Sequence, residues 1–189
     1  MCGINGAIAY HPEACPIEPD EIKKVRDSMA LRGPDGPGFW ISADQRVALG
    51  HRRLAIIDLS PNGDQPKASA DGRFTLTFNG EIYNYLQLRE ELKGRGHRFT
   101  TNSDSEVVLA MYAEYGTGMV SRLRGMFALA IWDSEKRELV LARDPMGIKP
   151  LYYADDGRSL RFASQVKALL QGSGVDTTPD PAGHVGFFV

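Results

Sequence analysis

Apolar positions along this chain recur at two spacings. Short stretches alternate apolar and polar residues with the period of a strand, and between them lie longer ones spaced three and four apart, as on one face of a helix. Residues 4–10 (INGAIAY) alternate small and apolar side chains and predict a strand ended by Pro12. From Asp20, the recurrence of Ile22, Val25 and Met29 predicts a helix of about three turns that stops before Gly33-Pro34. Residues 38–43, 46–51 and 54–58 (GFWISA, RVALGH, LAIID) follow in quick succession. The turns between them are too short for parallel crossovers, so antiparallel neighbours are expected.

A loop rich in Pro, Asn, Gly and Asp (60–72) leads to residues 73–79, RFTLTFN, where Phe74, Leu76 and Phe78 alternate with polar residues. Asn79-Gly80 reads as the end of that strand. A helix follows on Tyr85, Leu88 and Leu92, closed by Gly94 and Gly96, and RFTT (98–101) reads as a short strand. Ser103 to Glu106 has the S-x-x-E form of a capping box, with Ser103 as N-cap of the helix that contains VVLAMYAEY. Further hairpins are expected from 126–133 with 137–144, and from 151–154 with 160–163, before a final helix at 164–170. There is no internal repeat and no low-complexity run. The fold class this supports is α+β, with antiparallel sheets and helices on their outer faces.

Composition narrows the function without naming it. A chain of 189 residues with 42% hydrophobic and 24% charged residues has ordinary globular values and room for one domain with a real core. No apolar stretch approaches a membrane span, so no membrane partner is expected. Against 24 Asp and Glu stand 22 Lys and Arg, a net charge of −2 that argues against nucleic acid held by bulk charge. Cys2 and Cys15 are too few for a disulfide-stapled secreted domain, and no secretory signal precedes them, so the cytoplasm is expected. His11, His51, His97 and His184 lack metal-ligand spacing, and no metal is expected.

Cys2 has two readings. It is a buried residue at the start of a strand, or, once Met1 is removed, a nucleophile that shares its residue with a free α-amine able to act as base. Gly3 likewise reads either as a strand-start glycine or as a position where substrate approaches the backbone closely. Asn79-Gly80 is a hairpin turn, or an amide and a backbone N–H converging on an oxyanion.

Six separated motifs in order then point one way: MCGI, RGPDG (32–36), HRRLAIID (51–58), FNGEIYN (78–84), TNSDSEV (101–107) and RDPMGIKPLYY (143–153). Together they resemble the glutaminase domain of glutamine-dependent asparagine synthetases, class II glutamine amidotransferases of the N-terminal-nucleophile hydrolase type. The resemblance implies a four-layer αββα sandwich and a glutaminase domain over residues 1–170. It makes 171–189 the start of a linker toward an absent ATP-dependent synthetase domain. The chain is then a fragment of a longer synthetase or a free-standing glutaminase-like protein, and its abrupt apolar ending at Phe187, Phe188 and Val189 favours the fragment.

For the site, the resemblance implies Cys2 as nucleophile and α-amine base, with Asn79 and Gly80 as oxyanion donors. It implies Arg53 on the α-carboxylate of glutamine, the backbone of Ile56 and Ile57 beside it, and Glu81 and Asp104 on the substrate ammonium. Arg52 should point away from the site if its segment is extended, and Arg32 and Asp35 should shape the loop around the N-terminus. The glutaminase step needs no cofactor; ATP and Mg belong to the absent domain, which is the expected ammonia-accepting partner, and a homodimer is compatible with the family. Two positions depart from its pattern: Leu31 stands where a histidine is common before RGPD, and Gln165 where Glu is common. The rival reading is a catalytically silent scaffold or docking domain.

Overall fold

A strand sends its side chains alternately to its two faces, and this chain buries both faces of its central strands. The computed structural model describes residues 1–179 together with 182, 183 and 186. The apolar ending at Phe187, Phe188 and Val189 falls outside the described residues.

In chain order the first half runs β1 (Gly3–Ala9), α1 (Pro19–Asp27), β2 (Gly36–Ile41), β3 (Val47–Arg53), β4 (Lys67–Ala68), β5 (Phe74–Ile82) and α2 (Tyr85–Gly94). The second half runs α3 (Asp104–Tyr115), β6 (Gly125–Asp133), β7 (Glu138–Arg143), β8 (Tyr152–Asp155), β9 (Ser159–Ala163) and α4 (Val166–Leu169). Short 3₁₀ turns lie at Pro61–Gly63 and Gly116–Arg122. The strands form two antiparallel sheets, ordered β2-β3-β1-β9-β8 and β4-β5-β6-β7.

The buried clusters show how the layers stack. On one face of β5 and β6, Phe74, Leu76, Phe78, Phe127, Leu129 and Ile131 pack against Val107, Val108 and Met111 of α3 and Leu88 and Leu92 of α2. On the opposite face of β6, Ala128 and Ala130 meet Ile4 of β1, Leu49 of β3 and Phe162 of β9. The other side of the first sheet, through Ala7, Ala9 and Ala48, covers Ile22 of α1, while Val25 and Met29 join Ala168 and Leu169. The result is the α+β sandwich of helix, sheet, sheet, helix that the family pattern implied. Small residues between the sheets let the backbones of β1, β3, β5 and β6 approach closely.

Several elements differ from the sequence pattern. Residues 54–58 form no strand: β3 runs on to Arg53, and the chain then leaves the sheet as a loop with Ile56 and Ile57 at 55% and 37% exposure. Asn79-Gly80 does not end its strand. Pairing of Asn79 with Ala128 and Gly80 with Phe127 carries β5 on to Ile82, and register with β6 overrides the local turn preference. Residues 98–101 are not a strand either, because the N–H groups of Thr100 and Thr101 are both taken by the Glu106 carboxylate at 2.8 Å. That diverts Glu106 from its half of the capping box, while Ser103 does cap α3 by accepting from Ser105 N. α1 is shorter than expected, ending at Asp27 before a run of turns, and α4 covers only Val166–Leu169. Gly96 has φ +95°, the left-handed conformation expected after α2, whereas Gly94 is still helical.

The close packing of the sheets is testable. Ala130 is fully buried between them, so Ala130→Leu should cost ~1–3 kcal/mol by overpacking. The check is the denaturation midpoint in urea with unchanged slope.

Candidate active site

Three consecutive outward N–H groups on one edge of β5 organise the site. In an antiparallel strand, residues two apart present their N–H to the same side. Phe78 N donates to Oε1 of Gln65 at 2.7 Å, and Ile82 N donates to Oδ2 of Asp104 at 3.0 Å. Gly80 N–H lies between them on the same edge, past the end of β4. Its strand partner Phe127 offers nothing there, since both backbone groups of Phe127 are engaged by Asp144. A Cβ at position 80 would collide with Met126 O and with Phe127 of β6, so only glycine fits.

Asn79 faces the other way, between the sheets. It is 1% exposed and its Nδ2 has no hydrogen-bond partner among the described residues. Beside it Thr77 Oγ1 donates to Gly50 O at 3.1 Å, and His51 Nε2 lies 3.2 Å from Phe78 O, while His51 Nδ1 has no partner among the described residues. Burial lowers the His51 pKa to about 4, so the ring is neutral near pH 7 and Nε2–H donates to that carbonyl. A buried amide donor without an acceptor is costly unless something else accepts from it.

Cys2 sits at the mouth of β1, half-buried. Leu54 N donates to its Sγ at 3.3 Å, and the thiol donates back to Leu54 O at 3.5 Å. Burial pushes the Cys2 thiol pKa up, against the Leu54 contact and nearby positive charge, which pull it down. Arg32 Nε donates to Cys2 O at 3.1 Å, and Asp35 accepts from Ala55 N at 2.8 Å. The RGPD segment thus shapes the loop around the N-terminus, as expected. Gly33 is required there, because any Cβ would overlap the Arg52 backbone.

Arg53 closes the base of the 54–64 loop. Its guanidinium pairs with Asp64 at 2.7 Å and donates to the carbonyls of Asp58 and Ser60. Among the described residues, two of its five N–H groups are left over. Arg52 points to the opposite side, onto Gly33 O at 3.0 Å and Asp27 at 3.4 Å, as extended backbone requires.

One pocket is lined by Cys2, Arg53, Ile56, Ile57, Asn79, Gly80, Glu81 and Asp104 together. Every site residue expected from the motifs therefore faces a single space. Gly3 does not line it; a Cβ there would press on Met29, which explains the glycine by packing. Leu31 is 99% exposed, and Gln165 is the N-cap of α4, away from the pocket lining. The pocket also contains His51, Gln65 and Lys149, which the sequence reading left without a role. His51 could have been found two residues before Arg53, on the same face of β3. Asp104 is 5% exposed, and burial raises its pKa to about 6 in spite of the N–H donors it holds.

Among the described residues no group of three or more His, Cys, Asp or Glu could hold a metal ion. No helix among them is long and apolar enough to cross a membrane.

The model of the glutamine amidotransferase domain family matches residues 1–189. Over 171 residues the chain is 46% identical to asparagine synthetase (glutamine-hydrolyzing) 1 of Bacillus subtilis (strain 168), covering 90% of this chain and 27% of that protein. It is 40% identical over 178 residues to amidase chry2 of Gibberella zeae, covering 90% of this chain and 26% of that one. The chain thus spans 26% to 27% of the length of these curated relatives. Among solved structures, the glutamine phosphoribosylpyrophosphate amidotransferase of B. subtilis with ADP and GMP superposes with TM-score 0.72 at 23% identity. That match covers 88% of this chain and 42% of the other, and it shows the shared fold.

The raised Asp104 pKa makes a stability prediction. An acid whose folded-state pKa lies above its unfolded value binds its proton more tightly when folded, so stability falls as pH rises from ~4 to about 6. Asp104→Asn should remove that part of the pH dependence and melt higher than the parent at pH 7. Equal differences between parent and variant at pH 4.0 and pH 7, as round working values for either side of the window, would contradict it.

Proposed function

The chain belongs to the glutamine amidotransferase domain family, and on that footing we propose that it hydrolyses the side-chain amide of glutamine at Cys2. The observation that carries this is the pair of donors beside the thiol. Among the described residues Asn79 Nδ2 is buried without a partner, and Gly80 N–H is left over on the edge of β5. Both line the pocket with Cys2, as donors for a tetrahedral oxyanion would.

In this reading removal of Met1 gives Cys2 a free α-amine of pKa ~7.7–8.0, which accepts the thiol proton at neutral pH. Sγ attacks the side-chain carbonyl carbon, and negative charge gathers on the oxygen held by Asn79 and Gly80. The α-ammonium returns its proton to the departing nitrogen, releasing ammonia and leaving a γ-glutamyl thioester. Water, deprotonated by the same amine, then releases glutamate and restores the thiol. Arg53 holds the substrate α-carboxylate, the Ile56–Ile57 backbone lies along it, and Glu81 and Asp104 receive its ammonium.

The ammonia would serve an ATP- and Mg-dependent synthetase domain beyond this chain that amidates aspartate to asparagine. The name of the B. subtilis relative supports that acceptor. The amidase name of the G. zeae relative favours keeping a related carboxylate as the second choice. Two free cysteines, Cys2 and Cys15, suit a reducing cytoplasm.

Glutamate release from glutamine by the chain lacking Met1 tests the whole reading. Cys2→Ala and a chain that retains Met1 should both be inactive; release at equal rates by Cys2→Ala would return the chain to a silent scaffold. Asn79→Ala should lower kcat by ~10²–10³. Arg53→Lys keeps the charge but loses the fork, and should raise KM roughly tenfold with kcat little changed. A loss confined to kcat would remove Arg53 from substrate binding.

A further inference from the structure

Residues 143–150, RDPMGIKP, build a loop whose backbone is pinned around Lys149. The Asp144 carboxylate, 4% exposed, accepts from the N–H groups of Phe127 at 3.2 Å, Ile148 at 2.9 Å and Lys149 at 3.0 Å. Arg143 Nε donates to Lys149 O at 2.9 Å and its Nη2 donates to Gly147 O. Gly147 sits at φ +63°, turning the chain back toward the sheet. Both backbone groups of Lys149 are therefore held by residues of its own loop.

The side chain held this way lies in the Cys2 pocket. Lys149 is 6% exposed and lines the pocket with Cys2, Asn79 and Gly80. Among the described residues its ammonium has no hydrogen-bond or ion-pair partner. The stem is enclosed by protein, while Nζ keeps some contact with the open space of the pocket. A group that carries negative charge in the working site would compensate it.

The other charges of the pocket are already engaged or change during the reaction. Arg53 is bound to Asp64, Asp58 O and Ser60 O, and its remaining N–H groups take the substrate carboxylate in the proposed function; Arg32 donates to Cys2 O but does not line the pocket. Asp58 is tied up by Ser60. Asp104 accepts from Ile82 N, and with Glu81 it faces the substrate ammonium in the proposed function. His51 is neutral, and the α-amine alternates between charged and uncharged as it moves protons. Among the described residues that line the pocket, Lys149 is the side-chain cation without a hydrogen-bond or ion-pair partner.

We propose that Lys149 is a positioning residue of the Cys2 centre, its ammonium serving as the standing counter-ion of the Cys2 thiolate. The thiol proton passes to the α-amine, and Lys149 balances the charge left on sulfur. Lys149 also draws the Cys2 thiol pKa down, more strongly than Arg53 does. The role rests on the proposed function, in which Cys2 is the nucleophile.

The test follows the pH dependence of Cys2 alkylation by iodoacetamide in the chain lacking Met1, with Cys15→Ser so that one thiol reacts. Lys149→Met and Lys149→Gln should move the midpoint up by ~1 pH unit, and Lys149→Arg should return it to the wild-type position. At neutral pH kcat should fall roughly tenfold in the neutral variants, in step with the lost thiolate, with KM little changed. An unmoved midpoint in a folded neutral variant overturns the proposal. If neither neutral variant folds, ¹³C-lysine labelling of the wild type decides. The Lys149 Cε resonance, assigned with Lys149→Arg, should step at the alkylation midpoint and lose that step in Cys2→Ser; no step overturns the proposal. Alkylation does not require turnover, so the two ideas fail separately. A shifted midpoint without glutamate release would sink the glutaminase reading alone, and glutamate release with an unshifted midpoint would sink the role of Lys149 alone.

Discussion

Side chains leave β5 alternately to its two faces, so burying Phe74, Leu76 and Phe78 against α3 forces Thr75, Thr77 and Asn79 between the sheets. That constraint sets both the core and the site. A polar stripe between two sheets is tolerated only where each group finds a partner. Thr77 finds Gly50 O on β3, and the Phe78 carbonyl finds His51. Ala128 and Ala130 on β6 keep the sheets near enough for these bonds. Asn79, next in the stripe, lines the pocket that Cys2 also lines.

The loop that follows β3 completes the wall. Leaving the sheet at Arg53 frees its backbone from strand pairing, and each turn of it must be held by something else. Arg53 binds its far side through Asp58, Ser60 and Asp64. Asp35 takes Ala55 N, and Gln65 joins the loop's end to Phe78 of β5. Cys2 receives Leu54 N from the same segment. The thiol is thus positioned by backbone rather than by a neighbouring base, which suits a residue whose base would be its own α-amine. Exposed Ile56 and Ile57 on this loop are explained the same way: they face the pocket and its rim, not the core.

How much could be read in advance followed the range of the interactions involved. Strand faces, the hairpins of β6–β7 and β8–β9, and the Ser103 cap were legible because periodicity and capping act over a few residues. Residues 54–58, 79–80 and 98–101 were misread because distant partners decide them. The loop is set by Arg53, the continuation of β5 by its register with β6, and the 98–101 backbone by Glu106. In the site, Cys2, Arg53, Asn79, Gly80, Glu81 and Asp104 were legible through spaced motifs. Lys149 lies within such a motif but has no task visible in the sequence, since only the folded loop around Asp144 brings it to the thiol's pocket.

Charge then ties substrate and proton together. The pocket holds Arg53 and Lys149 against Glu81 and Asp104, and burial makes each charged form less favourable than it is in water. Asp104 registers this directly, with its pKa raised to about 6. In the proposed function glutamine brings a carboxylate to Arg53 and an ammonium to the acids. An ammonium beside Asp104 favours its ionised form, so binding must lower that pKa and, below about pH 6, release a proton. Linkage is reciprocal. A proton on Asp104 weakens glutamine binding by the same factor, and the desolvation that makes Asp104 a poor acid in the protein alone makes it a selective partner for a zwitterion.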